Sequence, residues 1–133
     1  MRSLNYGLTG VEITIDRKEV SVEHIAPQNP DGNYWYDQVA TKESDNDDKD
    51  YSDFLDTWGN ITILERPLNS KVVNDVWDVK KNGRSEKLTG YNGSSIQLTK
   101  NLMDVKQWNR EMIEKRTNWV VEQALIYWAR DLD

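Results

Sequence analysis

In Val22-Glu23-His24-Ile25-Ala26-Pro27-Gln28, an alternating apolar and polar segment ends at the only histidine of the chain. A second segment, Gly59-Asn60-Ile61-Thr62-Ile63-Leu64, shows the same alternation, which is typical of a half-buried strand. It leads to Leu68-Asn69-Ser70-Lys71, so that Asn60 and Asn69 lie nine positions apart. The three segments predict a strand, a second strand and a helix that meet at one edge.

Residues of the right chemistry for phosphodiester hydrolysis would then lie together at this edge. A neutral imidazole such as that of His24 can take the proton of an attacking water molecule. The side-chain oxygens of Glu23 and Asn69 suit a hard divalent cation, Mg²⁺ or Mn²⁺. The carbonyl of Asn60 can orient the imidazole.

Taken singly, these residues also have ordinary structural interpretations. A lone histidine on a strand is commonly packed or exposed without a function, and Asn60 can complete the turn that begins at Trp58. Asn69 can be a helix N-cap, a position that asparagine favours. Lys71 and Lys80 can be solvated helix charges. The combination of all these features is much more specific than any one of them.

The segments resemble the HNH (ββα-metal) nuclease motif, and in detail they resemble the C-terminal nuclease domain of GmrSD-type restriction enzymes. That family is a modification-dependent group that restricts phage DNA. The resemblance covers about residues 20–129 and continues through Trp77, Lys80, Trp108, Ile113, Arg116 and Trp128. A similar pattern of an acidic residue, a histidine and two asparagines occurs in the HNH domain of CRISPR effector nucleases.

The resemblance implies an α+β fold of the His-Me finger type. We expect one domain over residues 1–133, with a ββα core at about 20–82 and a helical C-terminal part at about 104–131. A short antiparallel sheet, additional helices and a long C-terminal helix belong to this expectation.

The resemblance also implies metal-dependent nicking or cutting of DNA. His24 would be the general base, supported by Asn60, and Glu23 and Asn69 would be ligands of Mg²⁺ or Mn²⁺. Three basic residues are assigned to DNA or phosphate contacts: Lys71, Lys80 and Arg116. For Arg116, a buried ion pair is the alternative, because an unpaired charge on the apolar face of a helix is costly.

Members of the family usually carry an N-terminal nucleotide-hydrolysing domain that senses the DNA modification. Nothing in these 133 residues corresponds to it, so we expect a fragment, an excised domain or one subunit of a split restriction system. The chain has no apolar run of membrane-spanning length and begins without a signal-peptide core, which predicts a cytoplasmic protein.

Charge is divided unevenly along the chain. The net charge is −6, but residues 1–60 hold 5 Lys/Arg and 13 Asp/Glu, whereas residues 66–116 hold 11 Lys/Arg and 6 Asp/Glu. The basic part predicts a DNA-binding surface. Two other classes remain open: an inactive HNH-like module that binds DNA or a partner, and an acidic DNA mimic that inhibits a nuclease. RNA also remains open as a substrate.

Local patterns predict most of the secondary structure. Helices are expected at 34–42, 70–81 and 106–130, and a further strand at 11–15. The acidic stretch 43–56 predicts a solvated, mobile loop, and it lacks the ligand and glycine positions of a calcium loop. Residues 82–101 predict a loop with little regular structure. The absence of cysteine excludes disulfides and thiol catalysis.

Overall fold

The computed structural model describes residues 19–40, 47–72 and 74–132, and it has an α+β architecture. The strands are β1 (Val20–His24) and β2 (Ile61–Glu65), and the helices are α1 (Tyr34–Val39), α2 (Asp47–Leu55), α3 (Arg66–Val72), α4 (Trp77–Asn82), α5 (Gln97–Lys100) and α6 (Arg110–Leu132). Short 3₁₀ segments occur at Trp58–Asn60, Tyr91–Gly93 and Asn101–Asp104. The predicted strand at 11–15 lies outside the described residues.

The two strands pair antiparallel, with Val20 opposite Glu65 and His24 opposite Ile61. This arrangement confirms the predicted short antiparallel sheet. Successive side chains of a strand point to opposite faces. Glu23 is accordingly buried, while His24 on the other face is partly exposed.

Helix α3 follows β2 without a loop, so the order of elements is strand, strand, helix, as the sequence predicts. The predicted single helix at 70–81 is wrong, because α3 begins at Arg66 and α4 begins only at Trp77. Between them the carbonyls of Asn74 and Asp75 accept hydrogen bonds from the indole N–H of Trp35, and the backbone at Val76 is extended. Asn69 therefore lies inside α3 and not at a helix start.

The prediction of a loop for the whole acidic stretch is also wrong, since α2 occupies residues 47–55 of it. Tyr51, Phe54 and Leu55 recur at helical spacing and pack against the core. Tyr51 is 2% exposed, and its hydroxyl donates a hydrogen bond of 2.6 Å to the carbonyl of Pro27. These contacts hold an acidic but amphipathic helix against the loop that follows β1.

Helix α6 supplies the long C-terminal helix that was predicted, although it begins four residues later, at Arg110. Its buried positions, Ile113, Arg116 and Val120, recur at helical spacing. Gly59 lies so close to α6 that an added Cβ would be 2.0 Å from the carbonyl oxygen of Ile113. Helix α6 is thereby packed directly against the start of β2.

Large aromatic side chains form much of the core. Five of them are nearly or fully buried: Trp35, Trp77, Trp108, Tyr51 and Tyr91. The rings of Trp77 and Trp108 lie 5.4 Å apart between centroids. Residues 82–101 are mostly irregular, as predicted, apart from one 3₁₀ turn and α5. Among the described residues, no helix combines the length and apolar character needed to cross a membrane.

Candidate active site

His24 stands at the end of β1 with a side chain that is 19% exposed. Its ring atom Nε2 lies 2.9 Å from Oδ1 of Asp56, a residue that follows α2 and is 79% exposed. An ionised carboxylate only accepts hydrogen bonds, so Nε2 carries the proton in this pair. The lone pair of the neutral ring is then on Nδ1, which is the atom able to accept a proton.

Asn60 is fully buried, and its amide connects three parts of the chain. Oδ1 accepts hydrogen bonds from the backbone N–H of Ala26 (2.8 Å) and the indole N–H of Trp108 (3.1 Å). Nδ2 donates to the carbonyls of Ala26 and Leu55, both at 3.0 Å. The backbone carbonyl of Asn60 accepts from the N–H of Ile25. Both oxygens of Asn60 thus accept hydrogen bonds from groups other than the imidazole of His24. The expected contact between the Asn60 carbonyl and the imidazole is not found between these two residues.

Glu23 and Lys80 form a buried ion pair behind β1. Their Oε1 and Nζ atoms are 3.5 Å apart, and the two side chains are 6% and 0% exposed. Burial raises the pKa of Glu23 to about 7 against the opposing attraction of Lys80. Burial also lowers the pKa of Lys80, and Glu23 counteracts this shift. Lys80 Nζ donates 3.1 Å to the carbonyl of His24, so the pair anchors the backbone of the candidate base.

Arg116 reaches the same region from α6. Its Nη1 donates hydrogen bonds of 2.8 Å to the carbonyls of Gly59 and Ile61, and burial lowers its pKa to about 10. Three buried side-chain atoms lie in this region: Nη2 of Arg116, the hydroxyl of Tyr91 and Oε2 of Glu23. The Tyr91 hydroxyl lies within interaction distance of the Glu23 carboxylate. Within the described part of the chain, backbone carbonyls take the place of the carboxylate expected for a buried ion pair of Arg116.

Helix α3 places Asn69 beside β1, but near its middle and not at His24. Nδ2 of Asn69 donates to Ser21 Oγ at 2.7 Å and lies 3.4 Å from the carbonyl of Val22. The amide oxygen is the atom of Asn69 that can bind a metal ion. Lys71 belongs to the last turn of α3, and its side chain lies outside the described part of the structure.

The predicted metal ligands do not surround His24 in this arrangement. Glu23 is on the opposite face of β1, where its carboxylate is paired with a lysine. Over residues 19–40, 47–72 and 74–132, no three His, Cys, Asp or Glu side chains are grouped closely enough to hold a metal ion. The oxygen donors of Glu23 and Asn69 are of the type that Mg²⁺ binds. The assignment of Glu23 and Asn69 as ligands stays a prediction.

The sequence model for the C-terminal domain of GmrSD restriction endonucleases matches residues 3–123 of the chain. The chain belongs to this family. The match confirms the resemblance of the segments around His24, Asn60 and Asn69 to that domain. No curated protein and no solved structure shows a significant match. The chain is therefore a restriction endonuclease domain by family, while its chemistry has to be argued from the site.

Sequence reasoning missed two residues that the fold brings to this GmrSD-type domain's candidate site. Asp56 is one of several acidic residues in the stretch 43–56, and nothing in the local sequence distinguishes it from the others. Its position four residues before Asn60 is the one sequence feature that places it near the motif. Tyr91 lies in a segment without regular pattern, and no sequence signal indicates that it lies beside Glu23. Lys80 was found, but in this structure its ammonium contacts Glu23 and the carbonyl of His24 inside the protein. Its DNA contact stays a prediction.

Proposed function

We propose that the chain is a metal-dependent DNA endonuclease domain that nicks or cleaves phosphodiester bonds in the restriction of phage DNA. The observation that carries this proposal is the paired, partly exposed imidazole of His24 at the end of β1, in a member of a restriction endonuclease family. The strand–strand–helix order around it is consistent with an HNH, or His-Me finger, core.

His24 acts as the general base. The proton of a water molecule passes to the lone pair of its ring, and the oxygen of that water forms a bond to the phosphorus atom. The bond from phosphorus to the leaving sugar oxygen breaks, and this oxygen takes a proton from solvent. Asn60 supports the base by holding the backbone at Ala26, two residues beyond it.

The divalent cation, Mg²⁺ or Mn²⁺, is part of this proposal on the strength of the resemblance and of the ligand chemistry. Such an ion would neutralise charge on the scissile phosphate and on the leaving oxygen. The amide oxygen of Asn69 and the carboxylate of Glu23 are the proposed ligands, although Glu23 is paired with Lys80 in this structure. The role of His24 as general base does not depend on which residues hold the ion.

The proposed partners are DNA and an N-terminal nucleotide-hydrolysing sensor domain or subunit, in the cytoplasm. Phosphate contacts are proposed for Lys71 and for the basic region 66–116. The remaining predicted DNA-binding residues, Lys80 and Arg116, would need to leave buried contacts in order to reach a phosphate.

Conversion of supercoiled plasmid to nicked or linear forms tests the function. The wild-type chain and His24→Ala are compared with Mg²⁺, with Mn²⁺ and with EDTA, after circular dichroism has shown that both are folded. We expect metal-dependent conversion by the wild type and a loss of at least about 100-fold in His24→Ala. Equal rates for the two proteins would refute His24 as the base.

One observation favours a second candidate function, an inactive HNH-like module that binds DNA or a partner. The carboxylate of Glu23 is neutralised by a buried lysine, and this arrangement suits a structural role better than metal binding. This candidate predicts a folded chain that shifts DNA in a gel and cleaves it with neither metal. Metal-dependent cleavage that requires His24 would eliminate it.

A further inference from the structure

The ring of His24 contacts Asp56, a residue outside the motif. The pair joins β1 to the segment after α2 across 32 positions of sequence, at a distance of 2.9 Å. Asp56 is 79% exposed, so its carboxylate stays in contact with solvent while it accepts the N–H of the ring. An exposed carboxylate contributes little to folding stability by itself, which makes a role in orienting the ring the more informative interpretation.

The backbone holds both members of this pair in place. Nδ2 of Asn60 donates to the carbonyl of Leu55, directly before Asp56, and also to the carbonyl of Ala26, two residues after His24. One buried amide thus connects the segment that carries the carboxylate to the segment that carries the imidazole. The effect of Asn60 on the imidazole then passes through the two backbones and not through its own carbonyl.

The segment on the other side of Asp56 is anchored as well. The hydroxyl of Thr57 donates 2.8 Å to the carbonyl of Phe54, and the backbone N–H of Gly59 donates 2.9 Å to the hydroxyl of Thr117 on α6. The carboxylate therefore extends from a short stretch with anchored ends, although its own side chain is exposed. Such support limits the directions from which it can approach the ring.

We infer that Asp56 is a positioning residue for His24. It holds the proton on Nε2 and so presents Nδ1 to the attacking water. The inference rests on the proposed function, since it assigns the tautomer that the general base uses. When Nδ1 takes the proton of the water molecule, the ring becomes a cation beside the carboxylate. Asp56 stabilises this cation without taking the proton itself.

The tautomer can be measured without any nuclease activity, because His24 is the only histidine of the chain. Long-range ¹H–¹⁵N NMR spectra of the folded protein then contain one imidazole, recorded at a pH where the ring is neutral. We expect the wild type to show the proton on Nε2 alone. In Asp56→Ala the tautomer ratio should move to that of a solvent-exposed histidine. Asp53→Ala, which removes an exposed carboxylate of α2, should leave the spectrum unchanged.

Kinetics then show whether this orientation matters for the reaction. Asp56→Ala should lower kcat for plasmid nicking by about 10- to 100-fold, as is typical when the partner of a functional histidine is removed. The KM for DNA and the Mg²⁺ concentration for half-maximal rate should stay unchanged. Asp53→Ala should match the wild type in all three quantities.

Several outcomes would overturn the inference. An identical NMR spectrum for wild type and Asp56→Ala would show that the carboxylate does not set the tautomer. A changed spectrum with an unchanged kcat would remove its catalytic relevance. A raised Mg²⁺ requirement with unchanged kcat would identify Asp56 as a metal ligand instead. Failure of the proposed function is separate, since an inactive wild type can still give the expected spectra.

Discussion

At the scale of single residues, the motif asparagine Asn60 does more for the backbone than for the imidazole. Its four side-chain hydrogen bonds satisfy groups of Ala26, Leu55 and Trp108, and the three bonds to Ala26 and Trp108 are buried. Asn60→Ala would leave these groups unpaired, at about 1–3 kcal/mol each. We expect it to lower the free energy of unfolding by at least about 3 kcal/mol, as measured by urea denaturation.

Asn92→Ala is the matched control for that change. Asn92 also makes two hydrogen bonds to the backbone, but it is exposed, so water can replace them. We expect a loss of about 1 kcal/mol or less. Similar losses for the two variants would mean that the interior around Asn60 admits water.

A second prediction at the scale of single residues concerns the ion pair of Glu23 and Lys80. Lys80→Met should destabilise the fold by about 3–5 kcal/mol when Glu23 is ionised, because it leaves a buried carboxylate without its partner. The double variant Glu23→Gln/Lys80→Met should cost less than the two single changes together. Urea denaturation at increasing pH measures this coupling, because loss of Lys80 removes the attraction that lowers the pKa of Glu23.

Lys115→Met provides the comparison, since Lys115 pairs with Glu111 at 3.1 Å on the exposed surface of α6. An exposed pair of this kind contributes at most about 1 kcal/mol. Additive effects of the Glu23 and Lys80 substitutions would show that the two charges do not interact in solution, and the anchoring of the His24 backbone would need another explanation.

At the scale of elements, the contact between α6 and the 3₁₀ turn before β2 sets the position of the candidate site. Gly59→Ala would place a Cβ 2.4 Å from Oγ1 of Thr117 and closer still to the backbone of α6. The helix would have to move away, and we expect a loss of about 2–3 kcal/mol. Thermal unfolding followed by circular dichroism measures it.

Gly32→Ala separates crowding from backbone strain. Gly32 has a φ of +67° and no atom within 4 Å of an added Cβ, so only the left-handed conformation opposes the substitution. We expect a loss of about 1 kcal/mol. If Gly59→Ala were tolerated as well as Gly32→Ala, the close approach of α6 to the turn would be disproved.

Local sequence patterns predict the main helices and strands and the motif. Contacts between segments that are distant in sequence determine the remaining features of the fold and of the candidate site. Alternation predicts β1 and β2, and apolar spacing predicts α1 and α6. The break before α4 depends on Trp35, which is distant in sequence. The inward Glu23 depends on a lysine of α4, and Asp56 meets His24 only because α2 packs against the core. Charge composition alone suggested a loop for that helix.

At the scale of the whole molecule, the net charge of −6 repels DNA. The affinity of the chain for DNA would therefore depend on a few exposed cationic side chains. In the basic region, Lys87, Lys100 and Lys106 are exposed, whereas Lys80 is fully buried. Each phosphate contact contributes a slope of about −0.9 to the logarithm of affinity against the logarithm of salt concentration. Replacing the three exposed lysines with glutamine should reduce the slope by about one unit for each lysine that contacts a phosphate.

Folded Lys80→Met should keep the wild-type slope, because its ammonium is inside the protein. Fluorescence anisotropy with a labelled duplex at several salt concentrations measures both variants. An unchanged slope in the triple variant would show that these three lysines of the basic region do not contact DNA phosphates, and that the DNA-binding surface lies elsewhere. A reduced slope in Lys80→Met would show that this ammonium leaves Glu23 when DNA binds. That departure would free the carboxylate of Glu23, the change that its proposed role as a metal ligand requires.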